Sequence, residues 1–528
     1  MRIILKDCYV GERGTIKGYT FWNGRLCRGE EFYKIFGSIN DEIKLIETVK
    51  CLSGSFVFSI SMGESLYVVT DIIRSIPAFY GVIDGELVIS DKYDVFEANN
   101  RMICRDAVDE LLATTYITGS DTLFEGIYQM QAARVYCFKN EELISIKRYY
   151  CESTPEQSEL NVSLKRMVEA YDKAIDRLII YLNGRQAVIP LSGGLDGRFI
   201  ASCLKKKGYH NIFSFTYGRE EKGEVLASKT IAHTLGVQWC CVPYESKAMQ
   251  RLFYSNEFEQ MAAVAGNITA VPMIQDWYAL HYLKEKKIIN SNAVIIPGHA
   301  VSNMAELSPK QLEEKEFFCA KDIVDIIYDT NYIFWNVNNE KVKNGLIRKL
   351  QKRIPDNACY TALEAYDFVK DFCYEERQAK LIANAVRVYE YFGYDWYMPF
   401  WDTMVVNSWH LTSKEHSDGR KIYYLAINQL CPGCVDIIRP VGHENEFGIE
   451  ITRGVLRKFA DKCFPSLYGT LRSLRHQKDN LNLWGYLSLK DRLYGARKNQ
   501  KFADAMWVYL FYMRVYKKGK KKNEAQDN

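Results

Sequence analysis

The chain lacks long apolar runs and any strong excess of one charge. No apolar stretch approaches the ~20 residues that span a membrane as a helix. Residues 1–7 carry charged side chains within their apolar stretch, which argues against a signal peptide. The formal net charge is +4 over 528 residues, which gives no case for nucleic acid as the main partner. These absences predict a cytoplasmic protein.

The pattern of a disulfide framework is also absent, although cysteine itself is not scarce. The 15 cysteines are odd in number and scattered, so we expect free thiols in a reducing compartment. Cys431 and Cys434, in Cys-Pro-Gly-Cys, have the spacing of a metal or redox pair. A second such pair is missing, because Cys240 and Cys241 adjoin. The sequence therefore favours a turn with two incidental thiols.

The first part of the chain has the pattern of a β-rich domain. Its length, with 48% hydrophobic and 25% charged residues, indicates an ordinary globular protein of two or three domains. Alternating polar and apolar residues at 55–60, followed by short apolar runs at 66–70 and 87–90, predict strands. Residues 135–146 predict one more hairpin. We place the first domain at residues 1–150 and a polar linker at 152–158.

The hydrophobic period then changes from that of strands to that of helices. Apolar residues recur at helical spacing from Val162 to Leu182, which predicts one long amphipathic helix. After it, strands alternate with helices, the pattern of a doubly wound parallel sheet. The predicted strands are 187–191, 212–215 and 239–242, and the predicted helices 199–204 and 225–235. We place this second domain at 160–425, helical over 305–390, and a helical C-terminal extension with a basic tail at 426–528.

The most informative stretch is Leu-Ser-Gly-Gly-Leu-Asp at residues 191–196, where a strand ends and a helix begins. Glycines let the backbone approach a ligand closely, and a helix N-terminus offers unpaired N–H groups to a phosphate. Ser192 adds a hydroxyl donor, and Asp196 is placed to hold a Mg²⁺ that bridges phosphate oxygens. Neither the Gly-Lys-Ser/Thr ending of a P-loop nor the G-x-G-x-x-G fingerprint is present. A glycine turn with Asp196 as a helix-start residue is the structural alternative.

Ser-Gly-Gly-Leu-Asp resembles the pyrophosphate loop of the N-type ATP pyrophosphatases, and the surrounding order resembles the glutamine-dependent asparagine synthetases. The resemblance extends over nearly the whole chain. Residues 52–58, 70–71 and 77–80 are similar to the glutaminase-fold (Ntn-type) sandwich domain of that family. Further similar positions are 215–218, Glu224, 297–300, Arg377, Asn384, Gly393 and 399–402.

This resemblance implies an ATP-dependent amide ligase. In the family, a substrate carboxylate attacks the α-phosphorus of ATP, pyrophosphate leaves, and an amine takes the acyl-adenylate. The resemblance implies ATP and Mg²⁺ as cofactors and Asp196 as the metal ligand; it leaves the catalytic residues unassigned. The implied ATP-binding residues are Leu191, Ser192, Gly193, Gly194, Asp196, Thr216, Tyr217, Gly218 and Gly298.

The chain departs from the family pattern at the nitrogen source. The family glutaminase uses a cysteine at the mature N-terminus, whereas this chain begins Met-Arg-Ile and its first cysteine is Cys8. We therefore expect a degenerate glutaminase-like domain, with Cys8 and Cys27 as packed or surface thiols. The amine is then free ammonia, ammonia from a partner protein, or an amine of the acceptor itself, a small molecule or peptide that also carries the carboxylate.

The second metal motif of the family is also altered. Ser302 stands about where an aspartate belongs, Asn303 offers only a neutral oxygen, and Gly197 replaces the final serine of the loop. No equivalent of the catalytic lysine is assigned near residues 439–444, and Lys421 matches a helix lysine at best. His299 and His443 are candidate acid–base groups, although a packed or surface histidine is the favoured interpretation of each.

Three functions therefore stay open. The first is the amide ligase; the second is a catalytically decayed nucleotide-binding homologue, favoured by Ser302. The third is an amidotransferase or cyclase that modifies a peptide or glycan, motivated by the apolar helix predicted at 502–516 and the lysines of 517–522. Such a tail can contact an anionic membrane surface, although a packed helix with a solvated end is favoured.

Overall fold

The computed structural model describes the chain in eleven stretches. These are residues 1–97, 101–150, 159–218, 223–300, 309–335, 339–351, 353–355, 359–437, 481–498, 500 and 503–517.

Two sheets form the first 150 residues. One has the strand order β1-β8-β7-β9, and the other has the order β11-β10-β6-β5-β3-β2, with β4 paired to β3. The strands are β1 Arg2–Ile4, β2 Tyr9–Gly11, β3 Gly14–Trp22, β4 Arg25–Arg28, β5 Ser53–Met62, β6 Ser65–Thr70, β7 Phe79–Ile83, β8 Glu86–Ser90, β9 Ile127–Gln129, β10 Arg134–Lys139 and β11 Glu142–Arg148. The helices are α1 Gly29–Phe36, α2 Glu42–Lys50, α3 Asp94–Glu97 and α4 Arg105–Thr114.

The two sheets share a buried apolar layer. Val57 and Phe138 of the larger sheet belong to the same cluster of buried side chains as Tyr80 and Ile89 of the smaller one. The opposite face of the larger sheet is apolar as well: Phe56, Phe58 and Val135 belong to a separate cluster of buried side chains. The predicted hairpin at 135–146 is present as β10 and β11, which pair antiparallel.

A five-stranded sheet lies in the middle of the chain, with the order β14-β13-β12-β15-β18 and every pair parallel. A small antiparallel pair, β16 and β17, stands apart from it. The strands are β12 Ala187–Pro190, β13 Ile212–Gly218, β14 Gln238–Pro243, β15 Val294–Ile295, β16 Phe317–Cys319, β17 Cys359–Thr361 and β18 Asp395–Trp396.

Helices connect and flank these strands. The long helix predicted before the sheet is α5, and its residues Tyr171, Ile175 and Leu178 are buried at helical spacing. The helices are α5 Leu160–Leu182, α6 Leu195–Lys206, α7 Glu224–Leu235, α8 Ser246–Phe253, α9 Asn256–Gly266, α10 Trp277–Glu285, α11 Ala320–Asn331, α12 Asn339–Leu350, α13 Ala362–Phe372, α14 Arg387–Tyr391, α15 Thr403–His410, α16 Lys414–Ser417, α17 Lys421–Leu430, α18 Leu481–Trp484, α19 Leu489–Arg497 and α20 Ala503–Phe511. The 3₁₀-helical segments are Lys310–Glu313, Ala383–Val386, Pro399–Trp401, Asp418–Arg420 and Val435–Ile437. The π-helical segments are Cys373–Ile382 and Tyr512–Lys517.

The β-rich region and the parallel-sheet region are joined by main-chain hydrogen bonds. Ile117 N–H donates to the carbonyl of Thr269 at 2.8 Å, and Val271 N–H donates to the carbonyl of Thr115 at 2.9 Å. Tyr116 and Ala270 form an antiparallel bridge between these bonds. The segment after α9 is therefore held by the first 150 residues.

The C-terminal apolar helix packs inside the protein. Trp507, Val508 and Phe511 of α20 are buried, and the Phe511 ring lies against Gly266 at the end of α9. Of the lysines at 517–522, all but Lys517 lie outside the described residues, as does the predicted linker. No helix within the described stretches is long and apolar enough to span a membrane.

The predicted mixed α/β class is confirmed, and the strands and helices predicted between 187 and 242 are present with small shifts at their ends. The domain boundaries at 150, 160 and 425 stay predictions.

Candidate functional site

The glycine loop lies between β12 and α6, as the sequence predicts. Leu191 N–H continues the sheet ladder by donating to the carbonyl of Phe215 at 2.8 Å. Ser192 Oγ accepts a hydrogen bond from Gly194 N–H at 3.0 Å. Gly194 is the N-cap of α6 and has an extended backbone, with φ −68° and ψ 163°. Having no side chain, it cannot cap the helix, so the first turn of α6 is left to a ligand or solvent.

The glycines are needed because the loop is close to its surroundings. A Cβ on Gly194 would lie 3.0 Å from Ser192 Oγ, and one on Gly193 would lie 3.3 Å from the Cβ of Ala227. A second loop, after β15, approaches from the other side. There a Cβ on Gly298 would lie 3.1 Å from the amide nitrogen of Gly197. The two loops therefore meet with room for backbone only.

A cavity of about 340 Å³ opens where β12, β13 and β15 end. The carboxyl ends of parallel strands are where such sheets bind ligands. Of the nine residues predicted to bind a nucleotide, seven line this cavity: Leu191, Ser192, Gly194, Asp196, Thr216, Tyr217 and Gly298. Gly193 and Gly218 belong to the same two segments but are not part of its lining.

Asp196 is engaged within the protein. Its Oδ1 atom lies 2.9 Å from Nη2 of Arg420 and accepts a hydrogen bond of 2.6 Å from the hydroxyl of Tyr423. The Arg420 guanidinium also lies over the Tyr423 ring, 4.8 Å from its centroid. Burial, together with the Asp196 charge, holds the pKa of Tyr423 well above its usual range. Tyr423 therefore remains a hydrogen-bond donor to this carboxylate at neutral pH.

This arrangement does not fit the predicted Mg²⁺ site. One oxygen of Asp196, Oδ1, is already paired with a cation, and the part of the second loop that the structure describes, through Ala300, contributes no carboxylate. Within the described stretches, no group of three or more His, Cys, Asp or Glu side chains is arranged to hold a metal ion. Ser302 and Asn303 lie outside the described residues.

The far wall of the cavity is built by a segment that the sequence analysis did not single out. Met273, Gln275 and Asp276 precede α10 and line the cavity. The Asp276 carboxylate makes no capping bond to α10; instead it accepts a hydrogen bond of 2.8 Å from the hydroxyl of Tyr389. Burial raises its pKa, and hydrogen bonds from Tyr389 and Tyr217 oppose the rise. An aspartate before an apolar helix has the pattern of an N-cap, so the sequence offered no signal for this role.

Aromatic rings stiffen the base of the cavity. The rings of Tyr217 and Tyr244 are stacked, with centroids 4.5 Å apart and planes at 7°. Burial raises the pKa of Tyr217 well above its usual range. Because both rings are held by packing, the Tyr217 hydroxyl keeps its position beside Asp276.

Two polar atoms of the wall lack partners among the residues described. They are Nδ1 of His299 and Oε1 of Gln275, both buried and without a hydrogen bond. Burial lowers the pKa of His299 to about 4, so the imidazole is neutral near pH 7. Buried polar atoms are nearly always paired in folded proteins. A polar ligand in the cavity would give both atoms a partner.

Arg198 holds the glycine loop through hydrogen bonds to backbone carbonyls. Its Nη2 donates to the carbonyl of Gly193 at 3.1 Å, and its Nη1 donates to the carbonyls of Cys434 and Val435 at 3.2 and 3.3 Å. Arg198 is 4% exposed, and burial lowers the pKa of its guanidinium. The side chain therefore ties the loop to the turn that follows α17.

The two thiols considered for the first domain are not prepared as nucleophiles. Cys8 Sγ donates to the carbonyl of Leu5 at 3.0 Å, and Cys27 Sγ contacts the carbonyl of Arg25 at 3.7 Å. Burial raises the pKa of both. A protonated, half-buried thiol is a weak nucleophile, which agrees with the expected structural role.

Comparison with curated protein sequences finds similarity over a short stretch of the chain. No family model matches the chain. It is 43% identical over 54 residues to the 7-cyano-7-deazaguanine synthase of Pseudomonas putida, a stretch that covers 10% of this chain and 24% of that protein. The same enzyme of Azotobacter vinelandii is 40% identical over 57 residues, covering 11% and 25%. The chain thus spans about a quarter of the length of the curated relatives that it matches.

Among solved structures, the glutamine phosphoribosylpyrophosphate amidotransferase of B. subtilis, complexed with ADP and GMP, matches over 55% of this chain and 63% of that one. The sequence identity is 7% and the TM-score 0.19. A score that low does not indicate a shared fold.

Proposed function

We propose that the cavity binds ATP and that the protein is an ATP-dependent amide ligase of the adenylate-forming kind. The observation that supports this proposal most strongly is that two glycine-containing loops and an uncapped helix N-terminus meet at the carboxyl edge of a parallel sheet. The resemblance of residues 191–196 to a pyrophosphate loop supports it, as does the short similarity to bacterial synthases.

The chain's own residues can hold the nucleotide in one orientation. Backbone N–H groups at the start of α6 and the hydroxyl of Ser192 stabilise the phosphates, because the positive end of the helix dipole points at them. Thr216, Tyr217 and Gly218 lie at the end of β13 on the side where the base belongs. ATP supplies the activation of a carboxylate, with AMP and pyrophosphate as products.

Charge around the cavity favours a ligand that carries amine or amide donors. Asp276 and Gln275 place acceptor oxygens on the far wall, and no lysine or arginine of the described chain lines the cavity. We propose that the acceptor is a small molecule or peptide with a carboxylate and that its nitrogen donor is ammonia, from solution or a partner protein, or an amine of the acceptor. We do not expect glutamine to serve as donor, because neither Cys8 nor Cys27 is prepared to attack it.

A second candidate is nucleotide binding without turnover. The observation that favours it is the ion pair between Asp196 and Arg420, which occupies the carboxylate that the ligases of this type direct at the metal and phosphates. Under this candidate the cavity binds ATP, and no acceptor leads to release of pyrophosphate.

One experiment separates these candidates. ATP binding is measured by calorimetry, and pyrophosphate release is screened over carboxylate acceptors, each with ammonia and with glutamine. Release together with AMP formation supports the ligase. Binding without release for every acceptor supports the second candidate, and absence of binding would overturn both. Glutamate formed from glutamine would contradict the expected nitrogen source.

A further inference from the structure

Three buried thiols lie together behind the glycine loop, outside the cavity. The sulfur atoms of Cys203 and Cys431 are 3.3 Å apart, and Cys434 Sγ accepts a hydrogen bond from Ser202 Oγ at 3.4 Å. Their exposed fractions are 4%, 6% and 3%, respectively. The Cys-Pro-Gly-Cys turn therefore lies against a third cysteine, which comes from a helix distant in sequence.

These thiols connect α17 to α6, whose first turn lines the cavity through Asp196 and Gly197. Cys203 lies on α6, seven residues after Asp196, and Cys431 is the C-cap of α17, which begins next to Arg420. At the N-terminal ends, Asp196 contacts Arg420 and Tyr423; at the C-terminal ends, the two sulfur atoms touch. Seven residues of helix separate the two contacts on α6 by about 10 Å.

The two touching thiols differ in chemistry. The hydrogen bond with Cys203 lowers the pKa of Cys431, with Lys206 and Lys207 acting in the same direction against burial. Burial, by contrast, raises the pKa of Cys203 well above its usual range. Of the two sulfurs, Cys431 is therefore the one that loses its proton more readily, which suits it to attack first and leaves Cys203 to resolve.

We propose that Cys203 and Cys431 form a reversible disulfide that fastens the helix of the glycine loop to α17. A disulfide requires an S–S distance of about 2.05 Å, so the sulfur atoms must approach by about 1.3 Å from their 3.3 Å contact. That shift is small compared with the usual freedom of a cysteine rotamer. The oxidant is a peroxide, which is small enough to reach thiols that are only a few per cent exposed.

The oxidation balances in two steps. The Cys431 thiolate attacks one oxygen of hydrogen peroxide, the O–O bond breaks, and sulfenic acid and hydroxide form. The Cys203 sulfur then attacks the Cys431 sulfur, the S–O bond breaks, and the hydroxyl leaves as water with the Cys203 proton. Two electrons pass from the thiol pair to the peroxide. A dithiol reductant reverses the reaction by thiol–disulfide exchange.

The bond would act on the loop through Arg198. That side chain joins the carbonyl of Gly193 to the carbonyl of Cys434 within the same turn. Fixing Cys431 to α6 therefore restrains the turn, Arg198 and the loop together. This inference does not depend on what the cavity binds, and its test needs no nucleotide.

The test uses the full chain, treated with hydrogen peroxide and then digested without reductant. We expect a linked peptide pair that contains Cys203 and Cys431 and that disappears after reduction with dithiothreitol. The oxidised chain should also unfold at a temperature roughly 5 °C higher than the reduced chain, because the cross-link closes a long loop of the unfolded state. A bridge between Cys431 and Cys434, or three thiols that stay unlinked while exposed cysteines oxidise, would overturn the proposal.

Four variants control the test. Cys203→Ser and Cys431→Ser should each lose the rise in unfolding temperature, whereas Cys51→Ser, at an exposed thiol, should keep it. Because a serine in a buried position can weaken the fold, Cys203→Ala is measured in parallel. Peptide mapping of the unmutated chain gives the answer even if both buried variants fail to fold.

Discussion

The Oδ1 atom of Asp196 lies 2.9 Å from Nη2 of Arg420, so the carboxylate at the start of the glycine-loop helix is neutralised from within the chain. The side chains are 10% and 16% exposed for the arginine and the aspartate, and of the two only Asp196 lines the cavity. A bare carboxylate here would repel the phosphates of a nucleotide. With Arg420 beside it, the positive end of α6 is left to act on them.

This pairing predicts that nucleotide binding does not require a divalent metal. The dissociation constant for ATP, measured by calorimetry, should be nearly the same in EDTA as in excess Mg²⁺. Arg420→Met should weaken binding in EDTA, because it exposes the Asp196 charge, and Mg²⁺ should restore part of the loss. A drop in affinity by an order of magnitude when metal is removed from the unmutated protein would contradict this expectation.

Gly298→Ala should reduce nucleotide affinity. The added Cβ would lie 3.1 Å from Gly197 N and 3.3 Å from the Cβ of Asp196, so the second loop must move away from the start of α6. We expect a loss of about 1–3 kcal/mol in unfolding free energy and a weaker ATP complex. The control is Gly345→Ala in α12, where a Cβ meets only the end of Arg348 at 3.9 Å. Equal behaviour of the two variants would argue against the close approach of the loops.

Arg198→Met should loosen the glycine loop without removing any group that faces the cavity. The carbonyls of Gly193, Cys434 and Val435 would each lose a donor, at a cost of about 1–3 kcal/mol in stability. Hydrogen exchange of the loop amides should rise, and ATP affinity should fall. Lys205→Met, on the same helix, is the matched control and should change neither quantity.

The pH dependence of stability should carry a contribution from His299. Its folded-state pKa of about 4 lies below the ordinary 6.5, so the unfolded chain takes up the proton first as the pH falls. The stability that neutral His299 provides is present above pH 6.5 and is lost between pH 6.5 and 4. Between pH 7 and 5, the unmutated protein should lose on the order of 1 kcal/mol more unfolding free energy than His299→Gln. Urea unfolding measures this, with exposed His210→Gln as the control.

Much of the fold and half of the cavity could be predicted from local sequence. The strand-to-helix junction at 191–196, the ends of β13 and the Gly298 loop are each signalled by nearby residues, because turns and strand ends depend on local backbone preferences. Arg420 and Tyr423 could not be predicted as partners of Asp196, since the chain brings them together across more than 220 residues.

Contacts between residues distant in sequence also explain why the surroundings of Asp276 and Cys203 could not be predicted. Asp276 follows the local pattern of a helix cap, and only the position of Tyr389, 113 residues later, turns its carboxylate toward the cavity. Cys431 and Cys434 have no second local pair, and their third thiol, Cys203, lies 228 residues before Cys431.

The main-chain hydrogen bonds between residues 115–117 and 269–271 affect which fragments of this protein would keep an intact cavity. Met273, Gln275 and Asp276 follow directly on the segment that forms these hydrogen bonds. The position of the far wall of the cavity therefore depends on a template supplied by the first 150 residues. A fragment that starts at the long helix α5 would keep the glycine loop but lose that template. The first 150 residues therefore help to position the far wall of the cavity in the parallel-sheet region.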